Sequence, residues 1–378
     1  MNEVGIYVHI PFCKSKCNYC DFVSFAGREG LEKEYIDCVK KEIKNRTNDN
    51  DLVKTIYFGG GTPSYIESEY IEEILATIEN SFQVDENVEI SIEVNPGSAN
   101  TKKLTEYARS GINRLSIGLQ TSNDELLKEI GRIHTYKDFE STVRMAKRAG
   151  FHNINADMII GIPNQTIYDV EDTVQKLINL GLTHISVYSL IVEEGTKLEE
   201  QISSGNLQPI DDEIERYMYW YAKRKLEQNG YIHYEISNFA KPMYRCRHNV
   251  DCWNQKEYLG FGVAAASYEN GFRYKNIDSV EKYIENMKKE RDYKNIKIEE
   301  KQDKKSQMDE YMLLGLRMIK GVTVSSFKQK FLEDPYKIYR AQLIKLLKES
   351  LIEIDTDSIR LSKKGIDLAN IVWEEFVQ

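Results

Sequence analysis

Apolar, β-branched runs alternate with helical patterns along residues 6–190, and no other feature limits the fold as much. The runs are Ile6–Ile10, Thr55–Phe58, Val88–Val94, Arg114–Leu119, Ile154–Ile160 and His184–Leu190. Between them lie Glu32–Lys44, Glu69–Asn80, Thr101–Arg109, Asp124–Ile130, Lys137–Arg148 and Val170–Leu180, each with helical spacing of apolar residues. A further helix, Asp211–Asn229, leads to Tyr231–Ile236. Gly30, Gly111, Gly150, Gly181 and Gly230 stand beside helix ends or strand starts, where a left-handed cap is often needed. Such alternation predicts a parallel sheet with crossover helices. Six units are too few to close an eight-unit barrel. The expected class is therefore α/β, with an open, partial (β/α)6 barrel over residues 1–236. Chemistry in such folds gathers at the C-terminal strand ends.

After Ile236 the alternation breaks. Residues 237–300 read as an irregular extension and a densely charged linker. Residues 301–378 read as helices (Met308–Ile319, Ser325–Phe331, Pro335–Glu349, Gly365–Phe376) around a hairpin of Leu351–Ile354 and Ile359–Ser362, a winged-helix-like unit. From Lys301 onward there are 14 Lys/Arg against 12 Asp/Glu, too even a balance for a DNA-binding face. The whole chain, 378 residues long, carries a net charge of −9, which also argues against nucleic acid as a partner. No run of about 18 apolar residues offers a membrane-spanning helix. Met1-Asn2-Glu3-Val4 leads straight into a strand without a signal peptide, so we expect a cytoplasmic protein with reduced thiols.

Cys13, Cys17 and Cys20 follow the first strand as C-K-S-K-C-N-Y-C. Thiolates at this spacing on one loop can hold three corners of an iron–sulfur cubane and leave one iron open to a small molecule. The alternative is structural zinc, which prefers four ligands in paired knuckles, and no second pair lies nearby. Gly59-Gly60-Gly61-Thr62-Pro63-Ser64 follows the second strand. It reads either as a tight turn or as a place where bare backbone approaches a ligand. Glu93, Gln120 and Asp157 stand at or near strand ends, and Arg132 lies in Gly131-Arg132-Ile133-His134-Thr135. Carboxylates in matching places of successive units suggest one shared pocket, suited to the hydroxyls, amine and carboxylate of a nucleoside–amino-acid conjugate. His248-Asn249-Val250-Asp251-Cys252-Trp253 lies in the irregular region. A histidine or thiolate can ligate haem iron and a tryptophan offers a flat partner, or else His248 is a loop histidine holding backbone.

Together these residues resemble the radical S-adenosylmethionine (SAM) superfamily. Within it, Tyr7-x-His9-Ile10-Pro11-Phe12-Cys13-x3-Cys17-x-Tyr19-Cys20-Asp21-Phe22 is similar to the family of oxygen-independent coproporphyrinogen III oxidase and its haem-chaperone relatives. The resemblance implies a radical-SAM barrel with a capping C-terminal domain. It implies a 4Fe–4S cluster on Cys13, Cys17 and Cys20, and SAM bound by Tyr7, Tyr19, Gly60, Gly61, Thr62, Glu93, Gln120, Arg132 and Asp157. The oxidase branch carries another Cys where this chain has Phe22, and has an N-terminal extension that this sequence lacks. Both departures favour the chaperone branch, whose H-N-x-x-Y-W motif reads here with Cys252 in place of Tyr. Haem, bound at His248, Cys252 and Trp253, and a haem-accepting protein are then the expected partners, with a homodimer an open assembly. The competing reading is a radical enzyme that oxidatively decarboxylates coproporphyrinogen III or a related porphyrinogen.

Overall fold

The computed structural model describes residues 1–377. Its principal sheet is built from β1 (Asn2–Ile10), β2 (Asp51–Gly60), β3 (Gln83–Val94), β4 (Arg114–Gln120), β5 (Asn153–Ile160), β6 (His184–Ser189), β7 (Ile232–Glu235), β8 (Asn238–Ala240), β9 (Tyr258–Phe261), β10 (Ala266–Glu269), β11 (Phe272–Asn276) and β12 (Ile296–Lys301). The strand order is β12-β11-β10-β9-β1-β2-β3-β4-β5-β6-β8-β7. Neighbours from β9 through β6 pair in parallel. The remaining pairs are antiparallel. The sheet is open, as expected of a mixed α/β fold of this kind.

Crossover helices α1 (Glu32–Asn45), α2 (Ser68–Ser81), α3 (Thr101–Arg109), α4 (Asp124–Glu129), α5 (Tyr136–Arg148) and α6 (Ile167–Asn179) join the strands. Their starts are written locally. Thr135 and Asp138 form a reciprocal capping box at α5, and Thr166 and Asp169 form another at α6. Gly150 (φ +99°) and Gly181 (φ +61°) then end α5 and α6 in the left-handed region. The outward side chains of the strands and the inward faces of the helices make one apolar core, including Ile6, Ile56, Ile92, Ile117, Ile154 and Ile185. The other face of the parallel strands is left polar. Helices α7 (Lys197–Ser203), α8 (Asp212–Gln228) and α9 (Arg247–Trp253) follow.

Residues 237–300 are neither irregular nor a linker. Strand β9 joins β1 in parallel, and β10, β11 and β12 continue the sheet. The buried Glu42 of α1 fastens this part. It accepts hydrogen bonds from Gly262 N (2.9 Å), Asn276 Nδ2 (2.8 Å) and Tyr283 OH (2.6 Å). The density of charge that suggested a linker has another cause. Strand β12, Ile-Lys-Ile-Glu-Glu-Lys, is an exposed sheet edge, where charge blocks pairing with other chains.

The C-terminal part has its own core, with Phe327, Tyr339, Leu346, Ile359, Val372 and Phe376 at its centre. The expected hairpin forms (Ile352–Ile354 with Ser358–Leu361), and Val322–Thr323 adds a short third strand. This part docks internally. Ile236 N donates to Arg317 O (3.1 Å), Ile319 N to Tyr234 O (3.1 Å) and Trp220 Nε1 to Asp367 Oδ1 (2.8 Å). The Arg317 guanidinium lies between Trp253, at 4.3 Å, and Trp373, at 5.1 Å. Trp253→Ala removes one side of this sandwich and is expected to destabilise docking by about 1–2 kcal/mol. A lowered urea midpoint and faster proteolytic release of residues 301–378 would show it; an unchanged midpoint would mean that the sandwich contributes nothing.

Candidate functional site

Side chains alternate across a strand with period two, so the polar face of β2 to β6 is a set of i, i+2 ladders. Tyr57, then Glu93 and Asn95, then Arg114, Ser116, Gly118 and Gln120, then Asn155, Asp157 and Ile159, then Ser186 and Tyr188 all line one cavity of ≈ 490 Å³. The cavity opens at the C-terminal strand ends. Cys13, Cys17, Tyr19, Cys20, Gly60, Gly61, Thr62 and Arg132 complete its wall.

The cysteine loop is held at both ends. Phe12–Cys13 pairs with Phe25–Ala26, while Gly61 N donates to Ile10 O (2.8 Å) and Thr62 N to Phe12 O (2.9 Å). Any Cβ at Gly61 would lie 2.9 Å from Cys13 Sγ and from backbone of the same loop, so glycine is required for this close approach. Asn18 then fastens the middle of the loop to the end of α4, with Asn18 N donating to Ile130 O (3.0 Å) and Nδ2 to Glu129 O (2.8 Å). Arg132 Nη1 lies 3.5 Å from Cys17 Sγ, and Nη2 donates to Asn95 Oδ1 and Gly118 O, both at 2.8 Å. The guanidinium thus places a fixed positive charge beside Cys17.

Across the cavity stand two carboxyls. Glu93 accepts from Tyr57 OH (3.0 Å) and Gly60 N (3.2 Å). Burial and the charge of Asp157 push Glu93 up to about 7. Asp157 accepts from Asn155 Nδ2 (2.7 Å) and Ser116 Oγ (3.3 Å), and burial raises its pKa too. Gln120 sits at φ +76°, just past a register shift between β4 and β5. A non-glycine residue there costs about 1–3 kcal/mol, and strain of this kind gathers at functional sites. Arg114 is buried on the cavity floor, with Nε and Nη1 lacking protein partners, and its charge favours ionisation of both carboxyls.

Three thiols beside a guanidinium suit an iron–sulfur cluster. The adjoining bay of carboxyls, amides and bare glycine backbone suits a cation with an amino-acid end and a ribose. Of the residues expected to bind SAM, Tyr19, Gly60, Gly61, Thr62, Glu93, Gln120, Arg132 and Asp157 line this cavity. Tyr7 does not. It lies one layer back, its hydroxyl 3.0 Å from His9 Nδ1 and its ring against Tyr57. The i, i+2 ladder was the signal for the cavity residues that sequence reasoning left out, among them Asn155, Ser116 and Ser186.

His248, Cys252 and Trp253 point in different directions. His248 is buried inside the barrel, its Nδ1 2.9 Å from Thr55 Oγ1 and its ring stacked on Tyr57. Cys252 lies toward Asp251 and Arg273, and burial raises its thiol to about 12. Trp253 turns to the C-terminal part. Only Asn249 of this motif reaches the cavity. The reason is local: Glu89 accepts from Arg247 N (3.0 Å) and His248 N (3.1 Å), which fixes α9 against β3 with His248 pointing inward.

Residues 7–177 match the Radical SAM superfamily, and residues 302–368 match the HemN C-terminal domain. The haem chaperone HemW of Lactococcus lactis is 37% identical over 371 residues, spanning 98% of this chain and 96% of that protein. The chain belongs to the HemW family. The haem chaperone HemW of Bacillus subtilis is 34% identical, spanning 98% of each chain. The solved structure of coproporphyrinogen III oxidase (HemN) from Escherichia coli shares the fold, with a TM-score of 0.87, 22% identity, and coverage of 99% of this chain and 90% of that one. For a HemW-family chain, membership of the radical SAM superfamily implies a 4Fe–4S cluster and SAM, which the cavity residues fit.

Burial holds the His248 imidazole neutral, with its pKa lowered to about 4 from 6.5. Its stabilising effect is full above about pH 6.5 and is lost as pH falls toward about 4, because the unfolded chain binds the proton first. His248→Gln is expected to lose less of its urea midpoint than the parent chain when pH is lowered through this window. An equal loss in both would place the acid sensitivity elsewhere.

Proposed function

We propose that this chain is a haem chaperone: it binds haem, holds a SAM-ligated 4Fe–4S cluster, and passes haem to an acceptor protein. The observation that carries the reading is near-end-to-end similarity to proteins named haem chaperone HemW, in a chain with all three cluster thiols on one cavity. Position 22 supports it. The oxidase branch that the sequence resembles carries a further cysteine there, and this chain carries an exposed phenylalanine.

In this reading Cys13, Cys17 and Cys20 would hold the cluster, and the cavity beside them would take SAM. When bound, the two groups supply one-electron reductive chemistry. The chain's own residues do the rest. Arg132 offsets thiolate charge, Gly60 and Gly61 admit the ligand to backbone contact, and Thr62, Gln120 and Asn95 offer hydrogen bonds. Tyr19 covers the bay. Glu93 and Asp157 would meet the positive charge of SAM, and Arg114 on the cavity floor favours ionisation of both.

The test is an anaerobic titration of the cluster-reconstituted protein with haem, followed by absorbance. Saturation at one haem per chain, followed by loss of that haem to an apo-haemoprotein, is the expected outcome. Release of CO2 and a vinyl-bearing porphyrinogen from coproporphyrinogen III, with no saturable haem binding, would establish the radical decarboxylase instead.

SAM binding supplies a second test. Glu93 is neutral below about pH 7 and ionised above it, so SAM affinity is expected to rise as pH passes upward through about 7. Glu93→Gln should bind SAM more weakly and flatten that rise. An unaltered pH profile in the variant would remove Glu93 from the bay.

A further inference from the structure

A second cavity, of ≈ 450 Å³, shares Cys17 with the one described above. Thr62, Asn95 and Arg132 line both, so these side chains form a common wall. With open space on either side, hydrogen bonds rather than packing fix their directions. Asn95 is the centre of that wall. It follows β3, and its backbone is tied on both sides. Asn95 N donates to Ser64 Oγ (3.2 Å), and Asn95 O accepts from Ser98 N (3.0 Å) and Ser98 Oγ (2.7 Å). Gly118 on the next strand leaves room for it: a Cβ there would lie 3.1 Å from Arg132 Nη2 and 3.4 Å from Asn95 Oδ1.

The Asn95 amide can point only one way. Arg132 Nη2 lies 2.8 Å from one end, and a guanidinium only donates, so that end is the carbonyl Oδ1. The other end, Nδ2, then donates to Thr62 Oγ1 at 2.8 Å. Thr62 Oγ1 in turn lies 3.4 Å from Cys13 Sγ. A cysteine that ligates iron is a thiolate and has no hydrogen to give, so between these two atoms the hydroxyl is the donor. Its oxygen accepts from Asn95, and its hydrogen is free for Cys13. Arg132 Nη1 completes the chain at 3.5 Å from Cys17 Sγ. One amide therefore directs the donors of two cluster cysteines. Cys20 stands outside this network. The Ser24 hydroxyl lies 3.9 Å from its Sγ and donates to Phe22 O at 3.3 Å. Hydrogen bonds to the sulfurs help to set the potential of an iron–sulfur cluster. Reduction adds negative charge, so a donor aimed at a ligating sulfur stabilises the reduced form more than the oxidised form.

We propose that Asn95 is a positioning residue for the cluster: through Thr62 and Arg132 it aims hydrogen bonds at Cys13 and Cys17, and so raises the cluster's reduction potential. The proposal rests on the assignment of the cluster to Cys13, Cys17 and Cys20, and is independent of haem.

The experiment is an anaerobic redox titration of the cluster-reconstituted full chain without SAM, followed by electron paramagnetic resonance, with iron and sulfide content measured throughout. The unaltered chain is compared with Thr62→Val, Thr62→Ser, Asn95→Ala and the double variant Thr62→Val/Asn95→Ala. Thr62→Val removes one donor and is expected to shift the reduction equilibrium at least about threefold toward the oxidised cluster, a fall of about 30 mV for one electron. Thr62→Ser keeps the hydroxyl and should hold the potential of the unaltered chain. Asn95→Ala loosens both donors and should lower the potential further than Thr62→Val. Its effect should be smaller in the Thr62→Val background, because the two residues act through one chain of hydrogen bonds. A full cluster in Asn95→Ala at an unaltered potential would overturn the proposal and leave the cluster assignment standing. If Asn95→Ala does not hold the cluster, Thr62→Val against Thr62→Ser decides, and equal potentials in these two overturn it. An unaltered chain that takes up no cluster removes the assignment and the proposal together.

Discussion

The rest of the structure depends on the period-two alternation of a parallel sheet whose two faces meet different surroundings. One face is covered by helices and is apolar. The other looks into a cavity and carries polar ladders, such as Arg114, Ser116, Gly118 and Gln120 on one strand and Asn155, Asp157 and Ile159 on the next. In-register parallel pairing puts Glu93 beside Ser116 and Gly118 beside Asp157, so isolated polar residues in three strands become one site. A slip of one residue in any strand would exchange these side chains with the core.

Buried charge is managed within that cavity by pairing in layers. Glu93 and Asp157 repel each other, and both are raised by burial. Arg114 lies below them, and Arg132 stands above, between Cys17 and Asn95. Arg114 has donors without protein partners, an uncommon state for a buried guanidinium. Its role is electrostatic: it tolerates that state because the carboxyls around it supply negative charge. The cavity thus sets carboxyls on one side and a guanidinium beside Cys17 on the other, a charge pattern that suits a cationic ligand next to an anionic cluster.

Much of the main fold was legible. The strands expected at Arg114–Leu119 and Ile154–Ile160 form at Arg114–Gln120 and Asn153–Ile160, because β-branched runs bounded by turns admit few other outcomes. The helix expected at Thr101–Arg109 forms over those residues. Residues 237–300 were misread, since a charged strand exposed along nearly its whole length looks like a solvated linker when its neighbour is not known. In β12 only the sheet partner, β11, reveals the edge. The side-chain directions of the H-N-x-x-C-W segment were not legible for a related reason: they are set by Glu89 on β3, which lies more than 150 residues earlier in the chain.

The sequence by itself determined the class of fold, the spacing of Cys13, Cys17 and Cys20, and the glycines that let backbone approach a ligand. Those are local properties: periodicity, ligand spacing and the absence of a Cβ act within a few residues. Only the tertiary structure decided which polar residues share a cavity, that His248 faces the barrel interior, and that Phe22, Tyr188 and Ile191 line that same cavity. Those depend on strand register and on contacts between distant segments, where small differences in packing choose the direction of a side chain that composition leaves free.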